Sequence, residues 1–304
     1  NFSIKQISQG LKVDLELLLI YTLYMRKRED FVPMKTLECR GITLSDKQTK
    51  ICVPITGTDL EEIKEQAEKI ANMNLDIVEW RADFYDVKDN DETEFEQCLK
   101  AINDNLKSIP IIYTYRTSNE GGEKSIDVDD YCRLCKYVSE ISEKYNVAMI
   151  DVELYENKDR KDIGKLLLDI KSTGVKVIGS NHHFEGTPSE KDIFNVLKTM
   201  EEAGADICKI AVMPKEKVDV KTLINASKKA NKELNAPIIT MSMGELGAVT
   251  RICTRMTGSV VTFGAGVNVS APGQPPCEMV RFLLKTSESG KIDCNVALIG
   301  SVYC

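Results

Sequence analysis

The chain has 304 residues, 42% hydrophobic and 29% charged, with 47 acidic against 40 basic side chains and a formal net charge of -7. These proportions are those of an ordinary globular protein and weigh against disorder or a membrane protein, and the acidic balance weighs against polyanion binding as the main activity. A chain of this length can bury one large core or two modest ones, and a local arginine cluster could still take a small anion.

No methionine occurs before Met25. The apolar run Leu17-Leu18-Leu19-Ile20-Tyr21 is interrupted at its front by Lys12, Asp14 and Glu16, and it falls short of the roughly 20 apolar residues of a membrane span. Tyr24-Met25-Arg26-Lys27-Arg28 follows it, the reverse of the charge order in a signal peptide. Residues 1–33 therefore read as an appended helix or as sequence upstream of a natural start at Met34.

After Met34 short apolar strands alternate with amphipathic helices. The first strand is Ile51 to Ile55, and Thr58 with Glu61 reads as a capping box for a helix burying Ile63, Ala67 and Ile70. A strand from Asp76 to Arg81, a helix around Glu94 to Leu106, a strand from Ile109 to Arg116 and a helix around Asp127 to Tyr145 follow. That last helix contains the pair Cys132 and Cys135 with no second pair and no histidine nearby, so a zinc site, which needs about four ligands, is not expected. The other cysteines are scattered, with Cys52, Cys208 and Cys253 inside apolar runs, as free thiols of a reducing cytoplasm are.

The fourth strand spans Val147 to Leu154, and a helix spans Lys161 to Ser172. The fifth strand, Val175 to Ser180, runs into Asn181-His182-His183-Phe184. Thr187, Pro188 and Glu190 then mark a helix start, with Ile193, Val196, Leu197 and Met200 as its buried stripe. The sixth strand, Asp206 to Met213, carries Lys209 in its middle. A helix Val218 to Leu234, a strand Pro237 to Ser242, a helix Leu246 to Met256, a strand Ser259 to Phe263 and a helix Glu278 to Lys285 complete the order. Roughly eight strand–helix units in about 240 residues have the rhythm of a (β/α)8 TIM barrel forming one α/β domain over 34–290, with a tail at 291–304. A doubly wound sheet would concentrate polar residues at its switch point. Here they gather at nearly every strand end, as Glu79, Arg81, Arg116, Asp151, Glu153, His182, Lys209 and Ser242 show.

A lysine in a strand of Ile, Ala and Val must lose its proton, find a carboxylate or reach solvent with its head. As a neutral amine it would attack carbonyls. The chain's two histidines lie together at one strand end, and imidazole suits proton transfer near neutral pH. Adjacent strand residues face opposite ways, so one of His182 and His183 should enter the site, and pattern does not decide which. Arg81, Arg116 and Arg251 offer forks for a carboxylate, at least one of them being expected in an internal salt bridge with Glu79, Glu120 or Glu153. The stretch with Gly264 and Gly266, continuing through Ser270 and Gln274, reads as a plain turn or as a lid.

Together these segments resemble the type I 3-dehydroquinate dehydratases. The resemblance is carried in order by Glu79-Trp80-Arg81, Arg116-Thr117-Ser118-Asn119-Glu120-Gly121-Gly122-Glu123, Ile150-Asp151-Val152-Glu153-Leu154, Ser180-Asn181-His182, Gly204 to Pro214, Met241-Ser242-Met243-Gly244, Arg251, and Ser270-Ala271-Pro272-Gly273-Gln274. It implies dehydration of 3-dehydroquinate to 3-dehydroshikimate in the shikimate pathway, with Lys209 forming an imine, His182 as general acid and base, and Glu120 orienting it. It implies that Glu79, Arg81, Arg116, Arg251, Ser270 and Gln274 bind the substrate, with no cofactor or metal, in a cytoplasmic homodimer that binds neither nucleic acid nor membrane. Family members commonly have Asp where this chain has His183, which puts the pairing made by that aspartate in doubt. An imine-forming aldolase and a non-catalytic carboxylate-binding barrel are the competing readings.

Overall fold

Apolar alternation with period two and amphipathic stripes with period 3.6 dictate a strand–helix succession, and that succession is what a computed structural model shows over the residues it describes, 35–86, 91–155, 157 and 160–288. The extension at 1–33 and the tail at 291–304 lie outside the described residues. In chain order the elements are β1 (Thr36–Cys39), β2 (Ile42–Ser45), β3 (Lys50–Ile55), α1 (Leu60–Ile70), β4 (Ile77–Arg81), α2 (Glu92–Leu106), β5 (Ile111–Thr114), α3 (Val128–Glu140) and β6 (Val147–Glu153). They continue with α4 (Lys161–Ser172), β7 (Lys176–His183), α5 (Glu190–Glu202), β8 (Ile207–Val212), α6 (Lys217–Glu233), β9 (Ile238–Ser242), α7 (Gly244–Ile252), β10 (Val261–Phe263) and α8 (Cys277–Glu288).

The strands β3 to β10 form one 8-stranded sheet in which consecutive strands are neighbours and β10 lies beside β3. Their pairings are parallel. The remaining seam is drawn together by a parallel bridge between Ile238 and Ser259 and by the Val260 N–H donating to the Ile238 carbonyl at 3.0 Å. The sheet is therefore a nearly closed (β/α)8 barrel, as expected, and not an open doubly wound sheet.

Side-chain alternation divides the apolar residues into two clusters. Outward-facing Val78, Trp80, Tyr113, Ile150, Val152, Ile210 and Val212 pack with the helices in the outer layer. Inward-facing Cys52, Ile77, Ile112, Met149, Ile178, Ile207, Ile239 and Val261 fill the barrel centre. Burying each of the larger ones contributes roughly 1.5–3 kcal/mol. The hairpin β1–β2, which the sequence reading did not foresee, contributes Cys39 and Leu44 to the central cluster and so covers the N-terminal mouth. On β4 to β8 the next inward positions toward the C-terminal ends are polar, namely Glu79, Thr114, Asp151, Ser180 and Lys209, while Met241 and Phe263 continue the apolar face on β9 and β10. Among the described residues no helix is long and apolar enough to cross a membrane.

Several boundaries shift from expectation. The first helix is capped by Asp59, whose side chain accepts from the Glu62 N–H, while Glu62 reaches back to the Thr58 N–H at 2.8 Å, so the reciprocal pair lies one residue later than the expected Thr58 and Glu61. Ser189, not Thr187, caps α5 by accepting from the Asp192 N–H. The helix expected from Leu246 to Met256 is two elements, α7 and a 3-10 turn at Thr254–Met256. The buried stripes expected on α1 and α5 are present.

Candidate active site

On β8 the period of two decides the direction of the lysine. Ile207 and Ala211 belong to the central cluster and Cys208, Ile210 and Val212 to the outer one, so Lys209 points into the barrel. Its Nζ stands 2.8 Å from Asp151 Oδ2 and 3.9 Å from Glu79 Oε1, and 4.9 Å from the centre of the Phe263 ring. Only 5% of Lys209 is exposed. Its burial is compensated by a carboxylate of the neighbouring barrel wall and not by a reach to solvent.

The same alternation on β7 turns Ile178, Ser180 and His182 inward. His182 lines the cavity and His183 does not, which settles the choice that pattern left open. The next strand holds His183 by its backbone, with the Met213 N–H donating to the His183 carbonyl at 2.9 Å. His182 Nδ1 lies 2.8 Å from Glu120 Oε2, and the Asn181 side-chain amide donates to Glu120 Oε1 at 3.1 Å. Glu120 sits in a short 3-10 turn, Ser118–Glu120, folded back on the end of β5. Gly122 permits that fold, since a Cβ there would lie 1.9 Å from the Arg116 carbonyl oxygen.

Burial, together with the charges of Arg116 and Lys209, holds His182 well below the ordinary imidazole range, so the ring is neutral at physiological pH. Burial pushes the Glu120 carboxyl up to about 8, with Arg116 opposing it and Glu153 and Asp151 adding to it. A proton arriving at His182 lowers the cost of charging Glu120, so the two groups take up and return a proton as a unit.

The three arginines differ in what already satisfies them. Arg116 is an internal hub: its guanidinium donates to Asp151 Oδ1 at 2.7 Å, to Glu153 Oε1 at 3.0 Å and to Ser180 Oγ at 3.0 Å, and lies 3.5 Å from Glu120 Oε2. Arg81 is gripped in a two-bond fork by Asp83, at 2.7 Å for each bond, and also donates to the Ser270 carbonyl at 3.3 Å. The expected internal salt bridges are thus present on Arg116, while Arg81 finds its partner in Asp83, which the sequence reading had not singled out. Arg251 is different. It is 1% exposed, no carboxylate among the described residues pairs with it, and its guanidinium donates to Met241 Sδ at 3.3 Å and to the Pro272 carbonyl at 3.4 Å. Burial alone pushes it down to about 10, leaving it a desolvated cation that an anion would satisfy.

The segment after β10 closes one side of the cavity. Gln274 accepts from the Ser270 N–H at 2.9 Å and donates to Ser270 Oγ at 3.0 Å, so the two expected ligands form one turn. Gly273 adopts φ +76, and a Cβ there would lie 2.3 Å from the Gly244 carbonyl oxygen. The turn can therefore lie flat on the start of α7, the helix that carries Arg251.

Lys209, His182, Glu120, Glu79, Arg81, Arg116, Arg251, Ser270 and Gln274 all line one open cavity, whose void together with its mouth onto solvent is about 490 Å³. Two buried residues organise it without having been assigned a site role from sequence. Asp151 binds Lys209 and Arg116, and Asp83 orients Arg81. Asp151 was legible as a polar residue at a strand end. Asp83 follows β4 in a short turn and carried no such signal. The Thr114 hydroxyl, also buried, donates to Glu79 Oε1 at 2.9 Å and fixes that carboxylate. Asp151 would be raised by burial, but Arg116 and Lys209 outweigh burial and hold it below the ordinary carboxylate range. Among the described residues no group of His, Cys, Asp and Glu is arranged to hold a metal ion.

The family and the fold are matched by known proteins. A family model described as Type I 3-dehydroquinase matches residues 51–291. A 3-dehydroquinate dehydratase of Listeria monocytogenes serotype 4a is 38% identical over 252 residues, covering 83% of this chain and 97% of that protein. The crystal structure of 3-dehydroquinate dehydratase from Geobacillus kaustophilus superposes with a TM-score of 0.80 at 33% identity, over 85% of this chain and 98% of that one. A type I 3-dehydroquinate dehydratase from Clostridium difficile, solved with covalently modified comenic acid, gives 0.78 at 36% identity over 84% and 98%. A barrel with this order of elements, matched along nearly the whole length of such relatives, leaves one assignment: the chain belongs to the type I 3-dehydroquinase family.

Proposed function

We propose that the chain is a hydro-lyase that removes water from 3-dehydroquinate to give 3-dehydroshikimate, through a Schiff base on Lys209 with His182 as general acid and base. The observation that carries the reading is the meeting of a buried lysine and a buried neutral histidine, each held by its own acidic side chain, in a cavity that also holds an arginine with no carboxylate partner among the described residues.

The Nζ lone pair of Lys209 adds to the substrate ketone, and loss of the carbonyl oxygen as water leaves a protonated iminium. That cation withdraws electrons from the adjacent carbon. With Glu120 ionised and accepting from Nδ1–H, the lone pair of His182 Nε2 takes a proton from that carbon, and the C–H pair becomes an enamine. The enamine pushes out the hydroxyl on the next carbon, His182 returns the proton to it, and it departs as water. Water then hydrolyses the conjugated iminium, releasing the enone and regenerating Lys209. Electrons and protons balance without an added group, because the lysine nitrogen is the electron sink.

Substrate recognition follows from what each side chain has to spare. Arg251 is the receptor for the substrate carboxylate, with Ser270 and Gln274 beside it. Glu79 and the held forks of Arg81 and Arg116 face the hydroxyls. The homodimer and the cytoplasmic setting belong to the same reading, supported by the family resemblance, and a particle of twice 34.0 kDa in light scattering would bear out the dimer. The activity is tested by adding 3-dehydroquinate and following ultraviolet absorbance. Growth of a conjugated enone is expected, and carbon–carbon cleavage products, or no change, would overturn the assignment.

A further inference from the structure

Asp151 is the residue through which the barrel wall touches the lysine. It lies on β6, is 1% exposed, and divides its two oxygens between two cations. Oδ2 faces Lys209 at 2.8 Å, while Oδ1 accepts from Arg116 at 2.7 Å and from Ser180 Oγ at 2.6 Å. A buried carboxylate there could serve either cation, and the distances separate the two roles. Arg116 already has Glu153 at 3.0 Å and Glu120 at 3.5 Å. For Lys209 the next carboxylate is Glu79, at 3.9 Å and engaged by the Thr114 hydroxyl. Arg116 would thus keep counter-charges without Asp151, whereas Lys209 would lose its close one.

The lysine nitrogen is charged as an ammonium and as an iminium, and uncharged only while it attacks. A carboxylate fixed from behind by Arg116 and Ser180 gives that nitrogen one position in both charged states. We propose that Asp151 is the positioning residue of Lys209, holding Nζ toward the cavity and stabilising the cationic nitrogen of the iminium. The proposal rests on the Schiff-base reading. The titratable and charged groups around Lys209 are Asp151 on β6, Glu79 on β4, Arg116 after β5, His182 on β7 and Cys52 on β3. Of these, Asp151 makes the direct hydrogen bond.

The test is borohydride trapping on the full chain with 3-dehydroquinate, comparing wild type with Asp151→Asn and Asp151→Glu and reading the adduct on the Lys209 peptide by mass. Asp151→Asn should slow trapping roughly tenfold or more because the iminium loses its counter-charge, and Asp151→Glu, which restores the charge, should recover most of that rate. An Asn variant that traps at the wild-type rate, or a folded Glu variant no faster than Asn, overturns the proposal. Should Asp151→Asn fail to fold by circular dichroism, Ser180→Ala keeps the charge but frees Oδ1 from one donor. Slower trapping is then expected, and an unchanged rate overturns the proposal. Absence of any adduct in wild type would overturn the Schiff-base reading itself, and is thereby distinguished from a failure of the Asp151 role alone.

Discussion

Along five of the barrel strands the inward face changes character within two residues. Ile77 gives way to Glu79, Ile112 to Thr114, Met149 to Asp151, Ile178 to Ser180 and Ile207 to Lys209. The lower layer is apolar, plugged by Cys39 and Leu44 of the N-terminal hairpin, and each residue contributes on its own by area. The upper layer is a chain of ionisable side chains, Lys209–Asp151–Arg116–Glu120–His182, in which each group depends on the next. Charges at that depth are tolerated only when paired. The lower layer therefore supplies the rigidity that keeps the upper layer in register, and the two should answer differently to substitution.

Substitutions in the upper layer should strike activity hardest. Lys209→Met removes the nucleophile and is expected to lower kcat by roughly 10⁴-fold or more, with a circular dichroism spectrum like that of wild type. His182→Ala should cost about 10²- to 10⁴-fold in turnover while still allowing an imine to be trapped, and normal turnover would move the acid–base role elsewhere. Arg251→Ala should act mainly on KM, by roughly 10- to 100-fold, since a charge-assisted hydrogen bond is worth about 1.5–3 kcal/mol. Ile207→Ala, one layer down on the same strand as Lys209, should reverse the pattern. It should lose about 2–5 kcal/mol of stability in urea unfolding and little kcat per folded molecule. A large kcat loss there would show that the layers are not separable.

The pH dependence sharpens the same contrast. His182 is depressed below its ordinary 6.5 in the folded protein, so the unfolded chain binds its proton more readily. This group's contribution is fully present above pH 6.5 and is lost as pH falls through that value toward the folded one. The acid limb of kcat/KM should lie below pH 6.5 for the same reason, and an acid limb above it would contradict a neutral buried imidazole. Glu120 is raised from 4.5 to about 8, so it opposes folding progressively as pH rises from 4.5 toward 8. Glu120→Gln should flatten stability over that window.

The barrel was legible because the apolar period alternates between two and 3.6 without interruption from Ile51 to Leu284. The hairpin at Thr36–Ser45 was not, because its turn is built on Arg40 at φ 33 and Gly41 at φ 79, and Arg-Gly is not among the common hairpin pairs. The capping of α1 was misplaced by one residue, since Thr58 and Asp59 are both competent caps and the choice depends on which way Glu62 folds back. Site residues with unusual placement for their type, such as Lys209 in an apolar strand or paired histidines, announced themselves. The roles of Asp151, visible only as a polar strand end, and of Asp83 did not, because they lie in which neighbours face them across the barrel, and cross-strand register is a property of the closed sheet. Likewise the difference between Arg116, satisfied by three carboxylates, and Arg251, satisfied by none among the described residues, emerges only once the ends converge.

The claim that joins the two layers is that a buried lysine on the apolar framework forms a covalent bond to substrate. Borohydride reduction with 3-dehydroquinate followed by peptide mass mapping tests it directly. The expected result is a substrate-sized increment on the peptide containing Lys209, and active protein with no increment there, or with the increment on another lysine, would contradict it.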